Sequence, residues 1–336
     1  MDVVKYKNNT PALALIVDSP WLPDYFGISH YEYYLSLETW VDANIQLYRE
    51  FGDIIFVPGF WVEYGMAAEP SGFGGRISWR PDSTPVPHSV STSLEDLINQ
   101  GPPHPKRDGL MPWILWRYEK LAERLQKSNH RVKMVAARGP LAIASWVRGV
   151  EALLMDIKKS PGKAKEFLDI TTQLTIDWLQ VQIDALEEVE GILLLDDIAG
   201  FFSPEDYMEF CHPLLQRIFG HFKDKIRIYH NDSEVMDLLD NMKSLDMDVF
   251  NFSHELDFGK VQSAGEGNWA LMGNIPPVDV LSRGSRKDLK ASLVNIKDKI
   301  NNPEGIILSA GGGVAPGTPV KNIKVLNQEV ESLFRA

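Results

Sequence analysis

Ile192-Leu193-Leu194-Leu195-Asp196-Asp197 is a short apolar run that stops on two carboxylates, and the chain uses this form eight times. The other runs are Ala12–Val17 before Asp18-Ser19-Pro20-Trp21, Ile54–Val57 before Pro58-Gly59-Phe60-Trp61, and Val132–Ala136 before Ala137-Arg138-Gly139-Pro140. Ile226–Tyr229 precedes His230-Asn231-Asp232, and Val249–Phe250 precedes Asn251-Phe252-Ser253-His254. Ala270–Met272 precedes Gly273-Asn274, and Ile306–Leu308 precedes Ser309-Ala310-Gly311-Gly312-Gly313. Uninterrupted apolar runs suit strands covered on both faces, as parallel strands are. Helical patterns occupy most of the gaps. Eight such units in 336 residues predict an α/β fold, a (β/α)8 TIM barrel forming a single domain over 1–336. The polar tails then meet at the C-terminal face of the barrel, where active sites of this fold are built.

Composition removes several function classes. A net charge of −12 argues against broad nucleic-acid binding, which needs a basic surface. No run reaches the ~18 apolar residues of a membrane span. Met1 to Asn8 lacks the apolar stretch of a signal peptide, so a cytoplasmic location is expected. The single cysteine, Cys211, excludes an internal disulfide and a thiolate-rich metal site.

Outside the runs, Ser29 to Phe51 reads as an N-terminal helix. Ser29 caps it, Glu32 completes the capping box, and Tyr33, Leu37, Trp40, Val41, Ile45 and Tyr48 fall at helical spacing. From Gly59 to Pro112 the periodicity fails, and aromatics are scattered among Gly, Pro, Ser and Thr. The expectation is a long lid or insertion (59–112) over the barrel mouth, with a small hairpin around Arg76–Arg80 where Ile77 and Trp79 alternate with polar residues. Further helices are expected over Pro112–Ser128, from Ser160-Pro161 to about Val189, from Ser203-Pro204 to near Phe222, and over Ser233–Leu245, Ser285–Ile300 and Pro319–Phe334.

The strand-end residues supply the chemistry. One of Asp196 and Asp197 is expected to act as acid, base or ligand, the other reading being a loop aspartate that caps the next helix. His230 can bind a metal or carry a proton near neutral pH, and Asp232 can orient it or share the metal; Asn231, Asp232 or Ser233 can equally cap the following helix. Asp18, Asn251, His254 and Asn274 either hydrogen-bond a ligand or satisfy loop backbone. Gly311-Gly312-Gly313 permits tight turns, close approach of a ligand or a phosphate cradle. Phe60, Trp61, Tyr64, Met66, Phe73 and Trp79 either pack the lid down or line an apolar pocket. Arg138 and Arg80 can pair with a substrate carboxylate or with structural acids.

Taken together, Ala137-Arg138-Gly139-Pro140-Leu141, Asp196-Asp197 with Phe202-Ser203-Pro204-Glu205-Asp206-Tyr207, Tyr229-His230-Asn231-Asp232, Met272-Gly273-Asn274-Ile275-Pro276-Pro277 and Gly311 to Pro319 resemble the uroporphyrinogen decarboxylase superfamily over nearly the whole chain. The resemblance implies a (β/α)8 barrel and either a decarboxylase or a corrinoid-linked methyltransferase. The decarboxylases carry an arginine-rich N-terminal segment, whereas no arginine precedes Arg49 here. The superfamily's thiol methyltransferases hold zinc through His-x-Cys and a later Cys. His230 matches the histidine, but Asp232 and about Gly312 stand where the cysteines would be.

The remaining branch moves a methyl group from a methoxylated aromatic compound to the Co(I) corrinoid (cobalamin) of a partner protein, an O-demethylation of anaerobic metabolism. On this resemblance the catalytic residues are His230, Asp232 and Asp197, with His230 and Asp232 as ligands of a zinc ion. The substrate-binding set is Asp18, Trp21, Phe60, Trp61, Tyr64, Met66, Arg138, Asn251, His254 and Asn274. Gly311, Gly312 and Gly313 would admit the corrinoid. The expected partners are the corrinoid protein and the small substrate, with no nucleic acid and no membrane. The other readings are a different methyl donor or acceptor, a decarboxylase, and a ligand-binding barrel without turnover.

Overall fold

Every one of the eight runs contains a strand, and most of the strands continue beyond the run into polar residues. The computed structural model describes residues 11–90 and 92–335; the expectation drawn from Met1 to Asn8 lies outside them. The chain begins with β1 (Ala12–Ile16), α1 (Leu22–Phe26), α2 (His30–Leu35), α3 (Leu37–Glu50), β2 (Ile55–Val57) and α4 (Ala68–Ser71). The hairpin β3 (Ile77–Arg80) and β4 (Ser83–Pro87) follows, then α5 (Leu94–Gln100), α6 (Met111–Lys127) and β5 (Met134–Arg138). Next come α7 (Pro140–Arg148), α8 (Val150–Lys159), α9 (Pro161–Ala185), β6 (Gly191–Leu195), α10 (Pro204–Phe210), α11 (His212–His221) and β7 (Ile226–Asn231). The chain closes with α12 (Leu239–Met242), β8 (Val249–Phe252), α13 (Phe258–Gly265), β9 (Ala270–Ile275), α14 (Arg286–Lys299), β10 (Ile306–Ala310) and α15 (Val320–Val330).

Eight parallel strands lie in the order β2-β1-β10-β9-β8-β7-β6-β5. This is a (β/α)8 barrel, closed except for one seam between β2 and β5 that carries no ladder. Paired residues of parallel strands point to the same face, so the register fixes what lies inside. Arg138, Leu195, His230, Asn251, Met272 and Ile307 form one paired row across β5 to β10. Below and beside this row, Ala14, Ile16, Val57, Met134, Ala136, Leu193, Ile228 and Val249 pack as an inner apolar core, joined by Trp61. The outward residues pack against the helices in a second, larger core.

The helix from Ser29 is two helices. Ser36 is extended, and its hydroxyl accepts the N–H of Thr39, so it caps α3 just as Ser29 caps α2. The helix from Ser203 also breaks, at Cys211, ahead of Pro213, which has no N–H to continue the ladder. Over Ser233–Leu245 only Leu239–Met242 is α-helical, after a 3-10 turn at Met236–Leu238. The segment 59–112 is more ordered than a loop: it holds α4, the expected hairpin and α5. It is tied to the barrel where the N–H of Arg138 donates to Glu69 and an Arg138 guanidinium N–H donates to the Gly65 carbonyl.

Candidate functional site

The parity of each strand sorts the polar tails. On β6, Leu193 and Leu195 face inward, so Asp197 enters the barrel mouth while Asp196 points out. Asp196 is fully buried and accepts the backbone N–H groups of Leu141 and Ala142, each at 3.0 Å. It therefore closes the N-terminus of α7, and Gly139 is required beside it, since a Cβ there would stand 2.4 Å from its carboxylate. Of the two sequence readings for this pair, Asp196 takes the cap and Asp197 the cleft.

Burial pushes the Asp196 carboxyl up to about 8, with the α7 N–H donors opposing it. Because this lies above its ordinary 3.8, the folded state keeps a proton the unfolded chain has lost, and the contribution weakens as pH rises from ~4 towards ~8. Asp196→Ala strands two buried N–H groups and is expected to cost about 2–4 kcal/mol in urea unfolding. A loss below about 0.5 kcal/mol would show the α7 cap to be dispensable.

On β7 the alternation places His230 and Asp232 inside. Asp197, His230 and Asp232 offer ligand atoms that all lie within 4.8 Å of one another. His230 Nε2 is 3.6 Å from Asp197 Oδ1, and the Asp232 N–H donates to that oxygen at 3.1 Å. Asn251 fixes the ring. Its amide nitrogen donates to the carbonyls of Met272 (2.7 Å) and Ala310 (3.2 Å), which leaves its Oδ1 facing His230 Nδ1 at 2.6 Å. An oxygen can only accept there, so Nδ1 carries a hydrogen and the ring turns Nε2 towards the two aspartates.

Asp232 opens to the cleft; desolvation inside the mouth and the neighbouring Asp197 both raise its pKa, the first more than the second. Two facing carboxylates beside an imidazole lone pair are a donor set that a divalent cation relieves. Across the mouth, Gly312 passes so close that a Cβ on it would be 3.2 Å from Asp232 Oδ2, and Gly313 stands 3.9 Å from Asp18 Oδ2 by the same measure.

Asp18, half-buried at the end of β1, faces a second cluster. Burial, with Glu63 adding to it, pushes its carboxyl up to about 7, while Arg138 pulls it down. Glu63 is buried and accepts the N–H groups of Ser19 and Gly65. The Arg138 guanidinium lies 5.2 Å above the Trp61 ring.

The mouth thus brings together Asp18, Trp61, Arg138, Asp197, His230, Asp232 and Gly311 to Gly313. Several expected substrate contacts are elsewhere. Trp21 is buried, stacks on Tyr25 and donates its indole N–H to the Thr318 carbonyl, pinning the loop after β10. Phe60 stacks on Tyr48 and lines a different cavity of about 1120 Å3 beside β2 and α6. Tyr64 is buried against Tyr34, and its hydroxyl bonds the Tyr34 carbonyl, Trp113 and Arg117. Asn251 serves His230 and has no exposed surface. Asn274 holds the carbonyls of Ser253 and Leu256, and with the exposed His254 it lines a recess of about 90 Å3 against α14. Met66 is half-buried.

Sequence reading passed over Glu63, Glu69 and Ser309. The two glutamates sit in the irregular segment, where no periodicity marks them. Ser309 alternates inward with Ile307 and keeps a buried hydroxyl that finds no partner among the described residues; strand parity was the available signal.

A family model described as uroporphyrinogen decarboxylase (URO-D) matches residues 24–333. Among similar proteins, a methylated-thiol–coenzyme M methyltransferase of Methanosarcina mazei is 24% identical over 78% of this chain and 69% of its own. A uroporphyrinogen decarboxylase of Geobacter metallireducens is 20% identical over 94% of this chain and 92% of its own. A solved structure described as a methyltransferase from Methanosarcina mazei superposes with a TM-score of 0.82 over 99% of this chain and 98% of its own, at 19% identity, and so shares the fold.

Proposed function

The chain belongs to the uroporphyrinogen decarboxylase family, and on that premise we propose that it is a methyltransferase that moves a methyl group from a methoxylated aromatic compound to the Co(I) corrinoid of a partner protein. The observation that carries the reading is the Asp197–His230–Asp232 donor set at the barrel mouth, with His230 Nε2 aimed into it by Asn251. The similarity to methyltransferases of the family supports the reaction class. Zinc or another borderline divalent cation fits one imidazole and two carboxylates, and it would supply Lewis-acid activation of the leaving oxygen.

The ligand atoms support an oxygen-bearing donor. Thiolate-rich sites suit sulfur substrates, while an N/O set suits an ether or phenolate oxygen. Among the aromatics of 59–112, Trp61 packs into the inner barrel and offers the ring on that side of the mouth. Asp197 and Asp232 would hold the cation, Asn251 keeps His230 in register, and Gly313 leaves the floor of the mouth open for the approaching corrinoid face. A polycarboxylate such as a porphyrinogen suits the site poorly. Asp197 and Asp232 face each other on one side of the mouth, and on the other the Arg138 charge is already set against Asp18 and Glu69, with Glu63 beside Asp18.

The test mixes the protein with a reduced corrinoid protein and 2-methoxyphenol or a methoxybenzoate, follows methylcobalamin by absorbance, and measures bound metal. Methylcobalamin formed with release of the phenol supports the proposal. Silence across a panel of methoxyaromatics overturns the donor class, and product from uroporphyrinogen without any partner would overturn the reaction class. Because the Asp232 carboxyl must be ionised to ligate and its pKa is raised, zinc affinity is expected to weaken as pH falls through the acidic range, with proton release on binding in titration calorimetry. Affinity independent of pH below 7 would remove Asp232 from the ligands.

A further inference from the structure

We infer that Asp18 is the acid of this cleft, placed opposite the metal-ligand set to hand a proton to the departing oxygen of the methyl donor. This rests on the methyl-transfer reading above.

The geometry starts from β1. Ala14 and Ile16 face the inner core, so alternation brings Asp18 into the mouth at the end of the strand. Gly312 and Gly313 are consecutive, one against the Asp232 carboxylate and the other against that of Asp18. Two residues of chain therefore separate the two carboxylates, which lie no more than about 14 Å apart. No side chain stands on the glycines between them, so an ether oxygen lying over Gly312 and Gly313 sits between the Asp197–His230–Asp232 set and the Asp18 carboxyl. Asp18 also stays half-open to the cleft, unlike the fully buried Asp196.

The surroundings of Asp18 suit a proton carrier rather than an ion pair. The charged and titratable groups acting on it are Glu63 and Arg138, with the phenols of Tyr33 and Tyr34 behind. Glu63 spends its oxygens on the N–H groups of Ser19 and Gly65, so its place beside Asp18 is fixed. Arg138 spends a guanidinium N–H on the Gly65 carbonyl and stacks over Trp61. The result is a carboxyl poised at about 7, which is where a general acid works best at neutral pH.

The step balances. The electron pair of Co(I), on the partner's corrinoid, forms the cobalt–carbon bond. The carbon–oxygen bond of the aryl ether breaks, and its pair stays on oxygen. The Asp18 proton moves to that oxygen, leaving the free phenol and an aspartate that regains its proton from water.

The test is a leaving-group series of aryl methyl ethers with wild type and Asp18→Asn. For donors with ordinary phenol leaving groups, kcat is expected to fall by roughly 10²–10⁴-fold in the variant. For a nitrophenyl ether, whose anion leaves unprotonated, the loss is expected to stay below about tenfold, because protonation matters less there. The pH profile of wild-type kcat should fall on the alkaline side, as Asp18 loses its proton. Glu63→Gln should move that limb to lower pH by removing a negative neighbour, and Arg138→Gln should move it to higher pH. Opposite displacements are not produced by a misfolded mouth. An active wild type with an equal loss for every leaving group, or with the limb unmoved in both neighbour variants, overturns the role of Asp18 alone. A wild type inactive with every donor overturns the methyl-transfer reading and this inference together.

Discussion

Replacing His230 by alanine is expected to lower methyl transfer by about 10³–10⁴-fold and to strip the metal from the cleft. His230 supplies the nitrogen of the donor set, and two carboxylates alone make a weaker, less directional site for a zinc-like ion. Its ring is 6% exposed and sits inside the barrel row, so the fold itself also responds. The vacated Asn251 Oδ1 loses its donor, which costs about 1–3 kcal/mol. A domain with ~5–15 kcal/mol of stability survives that loss, so a retained cooperative melt with lost activity is the expected pair of results.

Asn251→Leu is the companion. It leaves every ligand atom in place but releases the ring and its tautomer, and the expected loss in metal affinity is about 10–100-fold. Metal content and activity unchanged in the His230 variant would sink the assignment. Unchanged affinity in the Asn251 variant would show that the tautomer is set by something else.

Asn251 also explains where sequence reading stopped. The eight apolar runs located every barrel strand, because a strand packed on both faces is apolar at consecutive positions. They cut β7, β8, β9 and β10 short at the first polar residue. In the structure β7 runs on to Asn231, β8 to Phe252, β9 to Ile275 and β10 to Ala310. Near the mouth the barrel interior is itself polar: His230 and Asn251 pair there as neighbours in the ladder. A residue read as a loop tail was a strand position, buried and already hydrogen-bonded.

Strand parity was legible and sufficient to part Asp197 from Asp196, and to put His230 and Asp232 together on one face. The aromatics of 59–112 were not legible in this way. Tyr64 and Phe60 carry no periodicity, and their partners Tyr34, Arg117 and Tyr48 come from three other helices, those of Tyr64 from 30 and 53 residues away. Which of them meets the cleft is decided by tertiary packing. The breaks at Ser36 and Cys211 were written in a second capping serine and in Pro213, local signals that a continuous apolar stripe outweighed.

The three glycines after β10 are expected to respond differently to alanine, and the contrast decides what the run is for. At Gly311 a Cβ would stand 2.4 Å from the backbone nitrogen of His254 and 3.0 Å from its Cα. Backbone cannot swing aside as a side-chain tip can, so Gly311→Ala must displace the end of β10 or the loop after β8. At Gly312 the obstacle is conformational, since φ is +133°, and the added methyl also crowds Asp232 Oδ2 at 3.2 Å.

Each of these two variants is expected to lose roughly 1–3 kcal/mol in stability. Each should also lose about 10²-fold or more in methyl transfer, because a shift of ~1 Å in the donor set is enough for that. Gly313 meets nothing nearer than 3.8 Å and its φ is not in the left-handed region. Gly313→Ala should therefore keep its stability within about 0.5 kcal/mol. A larger side chain there, as in Gly313→Leu, would fill the space between Asp232 and Asp18 and should lower methyl transfer while the melting temperature holds.

A phosphate cradle makes a different set of results. Its backbone N–H groups act together on one anion, so all three alanine variants would weaken phosphate binding alike, and phosphate would compete with the methyl donor. Graded losses, steep at Gly311 and Gly312 and shallow at Gly313, with no competition by phosphate, mark the run as close packing around Asp232 that leaves one open floor position. Equal losses at all three would overturn that account.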